Sequence, residues 1–134
     1  MTKERVNPQS LFRSLDHGFS QGVVASGKRT LYVSGQTAWD AQKRIVGDSD
    51  LESQAQQAFL NLQTVVEAAG GALSDVVSLR IYVVDYRPEK AEAVGKAFRH
   101  FFSGEESPAS TWIGVSALAD PAFLIEVEAI AVLD

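Results

Sequence analysis

From Ile125 to Val132 the chain reads Ile-Glu-Val-Glu-Ala-Ile-Ala-Val. Apolar residues at alternate positions, with glutamates between them, have the period of a strand with one face on a core and the other on something polar. We place that strand at Leu124 to Val132. Thr30 to Gln36 alternates in the same way, with Leu31 and Val33 on one side and Tyr32 and Ser34 on the other. Val76 to Asp85, rich in Val, Ile and Tyr, and Ser110 to Ser116 read as two more strands. Phe19 to Ser26 is a shorter apolar run. With its Ser-Gly-Lys turn it reads as a hairpin with the strand that follows.

Against these strands the sequence offers two helices. In Leu51 to Ala69, Ala55, Ala58, Phe59, Leu62, Val65, Val66 and Ala69 recur at spacings of three and four. Ser49 and Glu52 fit a capping box, and Gly70-Gly71 fit a left-handed stop. Pro88 suits the first turn of a second helix running to about Phe102, with Val94, Phe98, Phe101 and Phe102 inward and Gly104 beyond its end. The predicted order is β-β-α-β-α-β-β in a single α+β domain over residues 16–134, with residues 1–15 a loosely held N-terminal arm. Two helices cannot cover both faces of such a sheet, so they are expected together on one face.

Alternation sorts the faces. Leu31, Val33, Leu79, Ile81, Val83, Ile113, Val115, Ile125, Val127 and Ala129 are expected under the helices. Tyr32, Ser34, Ser78, Arg80, Tyr82, Ser110, Trp112, Glu126 and Glu128 are expected opposite. This second face is polar yet carries large rings. Two readings stand: a solvated face, or an interface, and the aromatic content favours the interface. A closed homo-oligomer hides such a face and leaves clefts between subunits.

Composition narrows the function. Among 134 residues, 12 Lys and Arg stand against 17 Asp and Glu, a net charge of −5, and the cations are scattered. That argues against nucleic acid as a partner. The absence of cysteine removes disulfides, thiol catalysis, Cys-ligated zinc and iron–sulfur clusters. His17 and His100 are the two histidines, too few for a multi-His site in one chain. No metal is expected. The start lacks the apolar run of a signal peptide, and no apolar stretch approaches the ~20 residues that span a bilayer, so neither a membrane nor export is expected and the cytoplasm is the expected location.

Several residues, in order along the chain, carry a resemblance. Ser34-Gly35-Gln36 closes a strand. Gln54, Ala55, Asn61 and Leu62 lie on a helix ending Glu67-Ala68-Ala69-Gly70. Asp75-Val76-Val77 opens a strand, Phe101-Phe102 precedes Ser107-Pro108-Ala109, and the alternating segment from Ile125 closes the chain. Over about Phe19 to Val132 this resembles the RidA/YjgF family, also called the imine deaminase or L-PSP endoribonuclease family. The resemblance implies a chorismate-mutase-like α+β fold with a mixed sheet. It also implies a homotrimer with a central β-barrel and small-metabolite clefts between subunits. It further implies cofactor-free hydrolysis of enamine and imine intermediates to 2-keto acids and ammonia.

One departure matters. In the deaminating branch Pro-Ala is followed by Arg, whose guanidinium clamps the substrate carboxylate in a bidentate pair. Here Pro108-Ala109 is followed by Ser110. Trp112 replaces a small residue, Gly95 stands where an Asn is frequent, and Phe19 where a Tyr is frequent. Glu126 keeps the branch's acidic position, either to orient water or as a structural carboxylate paired with a cation. Arg80 is either a displaced anchor or a cross-strand partner of Glu126 or Glu128, and the ion pair is favoured. Ser34 has no visible base and reads as a strand-end residue, and Gly35 as a site of close packing. Tyr32 and Tyr82 can offer hydroxyls to a ligand or simply pack in an interface. Arg99 and His100 read as solvated cations complementing a helix C-terminus. His17 can border a cleft. Three functions follow: a hydrolase of small C–N metabolites, a metabolite-binding trimer without chemistry, and, disfavoured by charge, an endoribonuclease.

Overall fold

The computed structural model describes Thr2 to Asp134. Its elements in order are β1 (Thr2–Val6), β2 (Gly22–Ser26), β3 (Arg29–Gln36), α1 (Leu51–Ala68), β4 (Val76–Val84), α2 (Ala91–Phe101), β5 (Ala109–Val115) and β6 (Ile125–Leu133). Short 3-10 turns precede β4, α2 and β5. Four strands form a mixed sheet in the order β3-β6-β4-β5, antiparallel except for the β4–β5 pair. Both helices lie on one face, as alternation requires.

The core is the layer between them. Leu79, Ile81, Val83, Ile125 and Val127 meet Ala58, Phe59, Leu62 and Val66 of α1 and Val94 and Phe98 of α2, all essentially inaccessible. Phe59 packs against the rings of Phe98, Phe101 and Phe102. α1 begins as an amphipathic helix should, but its cap is Asp50, whose carboxylate accepts from the Ser53 backbone N–H at 3.0 Å, not the Ser49 and Glu52 box. Gly70, at φ +88°, ends it in the left-handed conformation a side chain resists.

Two polar side chains of α1 tie loops to the core. The buried Gln54 amide donates to the Asp48 and Ala122 carbonyls and accepts from the Leu124 N–H. Asn61 donates to the carbonyls of Thr37 and Trp39. No helix among the described residues is long and apolar enough to cross a membrane.

Three expectations change. The N-terminal arm contains a strand: β1 pairs antiparallel with β2 from Thr2↔Ser26 to Val6↔Gly22, leaving Met1 outside the described residues. Its attachment is polar, so apolar periodicity could not find it. Lys3 binds Asp75 at 2.8 Å, and Arg5 donates to the carbonyls of Ser74 and Glu106. The β2–β3 hairpin does not form. Gly27-Lys28 is a corner between two sheets, and β3 pairs with β6 instead.

The third change bears on function. β5 registers Leu79↔Ser110, Ile81↔Trp112 and Tyr82↔Ile113. Ser110 and Trp112 therefore face the helices, while Thr111 and Ile113 share the face of Arg80 and Tyr82. A shift of one residue inverts every side chain of a strand. In Ser-Thr-Trp-Ile-Gly-Val the alternation is too weak to fix the parity, and the indole, the largest apolar body available, packs on Phe98.

Candidate functional site

The residues singled out from sequence fall into two groups on opposite faces of the sheet. The first surrounds the β5 edge. Ser20 bridges to Ala109, with its N–H on the Pro108 carbonyl at 2.9 Å and its hydroxyl on the Ser107 carbonyl at 2.7 Å. This seats Phe19 beside Ser110. Gly18, at φ +91°, turns the chain there, so that His17 and Phe19 flank one opening. The result is a cavity of about 360 Å³ lined by Phe12, His17, Phe19, Ser110 and Trp112. Phe12 meets both Phe19 and His17 edge-on, at 6.1 and 5.9 Å between centroids. Trp112 meets Phe98 and Tyr86.

Gly95 lies under the indole: a Cβ there would stand 3.7 Å from Trp112 Cη2. The Ser110 hydroxyl is buried in this wall with no hydrogen-bond partner among the described residues. A buried polar group left unpaired is costly, which makes it a ready contact for a ligand. His17 borders a cleft as its sequence reading allowed, whereas Phe12 was not legible beforehand. Both sit in a segment without periodicity, brought to β5 by the Ser20 bridge.

The second group lies on the open face. Gly35 faces Glu126 so closely that any Cβ would collide with the carboxylate. Close approach is therefore the reason for this glycine. The Glu126 carboxyl titrates above the usual range, because burial disfavours its charge and Glu128 lies nearby. Glu128 accepts a short hydrogen bond from the Tyr82 hydroxyl. That bond, burial and the Glu128 charge push the Tyr82 phenol up, with Arg80 acting the other way.

Arg80 stands across the strands from Glu128, near enough to Tyr82 to oppose the rise of its phenol. Among the described residues, no salt bridge joins Arg80 to Glu126 or Glu128, so the favoured cross-strand ion pair is absent. Tyr32, 74% exposed, joins Arg80, Ser78 and Glu128 around a shallow cleft of about 180 Å³. Ser34 lies at the β3 end, where its carbonyl accepts from Gln36. Neither histidine stands beside it, since His17 lines the other group and His100 packs on Phe101.

Phe19, Gly95, Ser110 and Trp112 are thus brought together; on the open face Tyr32 meets Arg80 around one cleft and Gly35 meets Glu126 beside it. One chain does not join the two groups. Among the described residues, no three His, Cys, Asp or Glu side chains are placed to hold a metal ion.

Known proteins resemble this chain over most of its length. The family described as Endoribonuclease L-PSP matches residues 13–133. A 2-iminobutanoate/2-iminopropanoate deaminase from Dermatophagoides farinae is 32% identical over 116 residues, covering 87% of this chain and 86% of that protein. The crystal structure of YyfB from Yersinia pestis, a protein of unknown function in the conserved Rid family, superposes with a TM-score of 0.95 at 41% identity. It covers 99% of this chain and 100% of its own. RidA from an Antarctic Psychrobacter superposes with a TM-score of 0.69 at 30% identity, covering 85% of this chain and 87% of its own.

Proposed function

This chain belongs to the RidA/YjgF family, the one described as Endoribonuclease L-PSP, and from that membership we propose that it hydrolyses small imines or related C–N metabolites. Its sites are clefts between the subunits of a homotrimer. Glu126 carries the reading. It is a carboxylate held against a glycine backbone, with no cationic partner among the described residues and a pKa raised toward the working range of a general base. Water attacks the C=N carbon and gives a proton to Glu126, which passes it to the nitrogen. The new hydroxyl then gives up its proton, again through Glu126, to the same nitrogen as the C–N bond breaks, so that a carbonyl compound and ammonia leave and Glu126 is regenerated. No cofactor is needed.

The two-sided arrangement supports the trimer. The aromatic pocket at the β5 edge and the Gly35–Glu126 pair face opposite ways, so a neighbouring subunit is the way to bring one to the other. Ser110 then offers its hydroxyl to the substrate, and Phe19 and Trp112 wall the pocket.

The test generates 2-aminoacrylate and 2-iminobutanoate with a dehydratase, and other imines with an amino-acid oxidase. Keto-acid release is followed with and without the protein. Acceleration over buffer that Glu126→Gln removes is expected. A folded trimer with no effect on any of these imines overturns the proposal. The aromatic walls also suit a second reading, a trimer that binds a flat metabolite without chemistry. A ligand that raises the melting temperature but is not consumed would favour it.

A further inference from the structure

The family resemblance leaves the pocket without a cation at Ser110, but a guanidinium stands beside it on another element. Arg99 lies one turn after Gly95 on α2, and helix side chains lean toward the N-terminus, so it reaches back along the helix. Its Nη1 sits 2.9 Å from the point where a Cβ of residue 95 would stand, and Trp112 Cη2 is 3.7 Å from that same point. Guanidinium and indole edge therefore flank one empty position.

On the other side of the stem, a Cβ at Gly18 would collide with the Phe98 ring at 2.8 Å and lie in ordinary contact with Arg99 Cγ at 3.5 Å, between the two pocket residues His17 and Phe19. The missing side chain at Gly95 is thus what lets the Arg99 guanidinium lie beside Trp112 of the pocket wall. Among the described residues its one salt bridge is to Glu92 at 3.3 Å, with the two side chains 45% and 80% exposed. Such a solvent-screened pair is weak and yields readily to a ligand anion. None of the five side chains lining the pocket is Lys or Arg.

We infer that Arg99 is the oxyanion anchor of the aromatic pocket, so that the site takes small carboxylates whose apolar or aromatic body lies against Phe19 and Trp112. The inference rests on the pocket being the substrate site proposed above, and it narrows the substrates to imino acids with bulky side chains. The guanidinium moves from the strand to the helix, and the unpaired Ser110 hydroxyl adds a second hydrogen bond.

Calorimetry with phenylpyruvate, a keto-acid product of that class, and with its uncharged analogue phenylacetone tests the assignment. Arg99→Gln should weaken phenylpyruvate binding by about 10- to 100-fold, as loss of a charge-assisted hydrogen bond does, and leave phenylacetone unchanged. Arg99→Lys should not restore the bidentate geometry. Gly95→Ala should weaken the same ligand by displacing the guanidinium, and the surface control Arg87→Gln should not. Circular dichroism checks that each variant is folded. Equal phenylpyruvate affinity in wild type and Arg99→Gln overturns the inference, as does failure of the wild type to prefer the charged probe. Arg99-dependent binding without imine turnover removes the hydrolase reading and leaves the anchor. Turnover of imino acids undiminished in Arg99→Gln does the reverse.

Discussion

The helix side and the open side of the β3-β6-β4-β5 sheet are made from alternate residues of the same strands, yet they differ in almost every physical respect. Leu79, Ile81 and Val127 on one side are 1% exposed or less, while Tyr32 on the other is 74% exposed. The helix side holds its residues by dispersion and desolvation. The open side crowds Glu126, Glu128, Tyr82 and Arg80 together and raises the titration of Glu126 and Tyr82. The strands therefore separate the buried apolar core from the face that carries the titratable cluster. At the β5 edge the division breaks down, because the helix side there opens into a cavity walled by Phe19 and Trp112.

Substitutions can break that comparison. The largest effect should come from Phe59→Ala, which empties the ring cluster under α1 and α2 and costs about 4 kcal/mol in chemical denaturation. A cost below ~1 kcal/mol would mean the helix side is not the stabilising side. Glu126→Gln should slow imine hydrolysis by roughly 100-fold or more and leave the fold intact.

Its pH behaviour is the sharper signature. A carboxyl with a folded pKa above its ordinary value disfavours the folded state once ionised. Wild-type stability should therefore fall as pH rises from the ordinary carboxylate range through the raised value. Glu126→Gln should lack that fall and equal or exceed the wild type at neutral pH. In turnover, the acidic limb of kcat/KM should lie above the ordinary carboxylate range.

Asp75→Asn should cost on the order of 2 kcal/mol, between the values for exposed and buried ion pairs. Burial acts to raise the Asp75 pKa. It is outweighed by the hydrogen bonds from Lys3 and the Ala72 N–H and by the charges of Lys3 and Arg5, so the carboxyl titrates low. The contribution of this tie should be present above the ordinary carboxylate pKa and fade as pH falls through the lowered one. An unchanged stability profile for Asp75→Asn would detach β1 from the account. The smallest effect belongs to Tyr32→Ala, within ~0.5 kcal/mol for subunit unfolding. It should nonetheless shift sedimentation toward monomer. Unchanged sedimentation would mean that the open face is not the interface.

Strands with a clean period, such as Ile125 to Val132, were readable to within a residue at each end, and so was α1, where spacing and stop agree. β1 was not, because Thr-Lys-Glu-Arg-Val is held by polar reach and not by apolar burial. The β5 parity was not, because that edge strand has no strict alternation, and Ser110 and Trp112 went to the wrong face with it. Gly35 was legible as a site of close packing, but the groups that need the space at Gly35 and Gly95 were not. Gly35 makes room for Glu126, and Gly95 for a guanidinium four residues later, neither of which spacing alone reveals. Phe12 entered the pocket through a long-range strand bridge at Ser20.

The central claim is that the Glu126 face of one subunit completes the aromatic pocket of the next. The direct test mixes two inactive variants, Glu126→Gln and Ser110→Phe, the second filling the pocket. Subunits are exchanged under mild denaturant, and mass spectrometry confirms mixed trimers. If intact halves meet across interfaces, random mixing should restore about one quarter of wild-type imine turnover, the chance that an intact pocket adjoins an intact Glu126 face. Mixed trimers as inactive as either parent, beside an active wild type, would place the whole site within one chain and contradict the account.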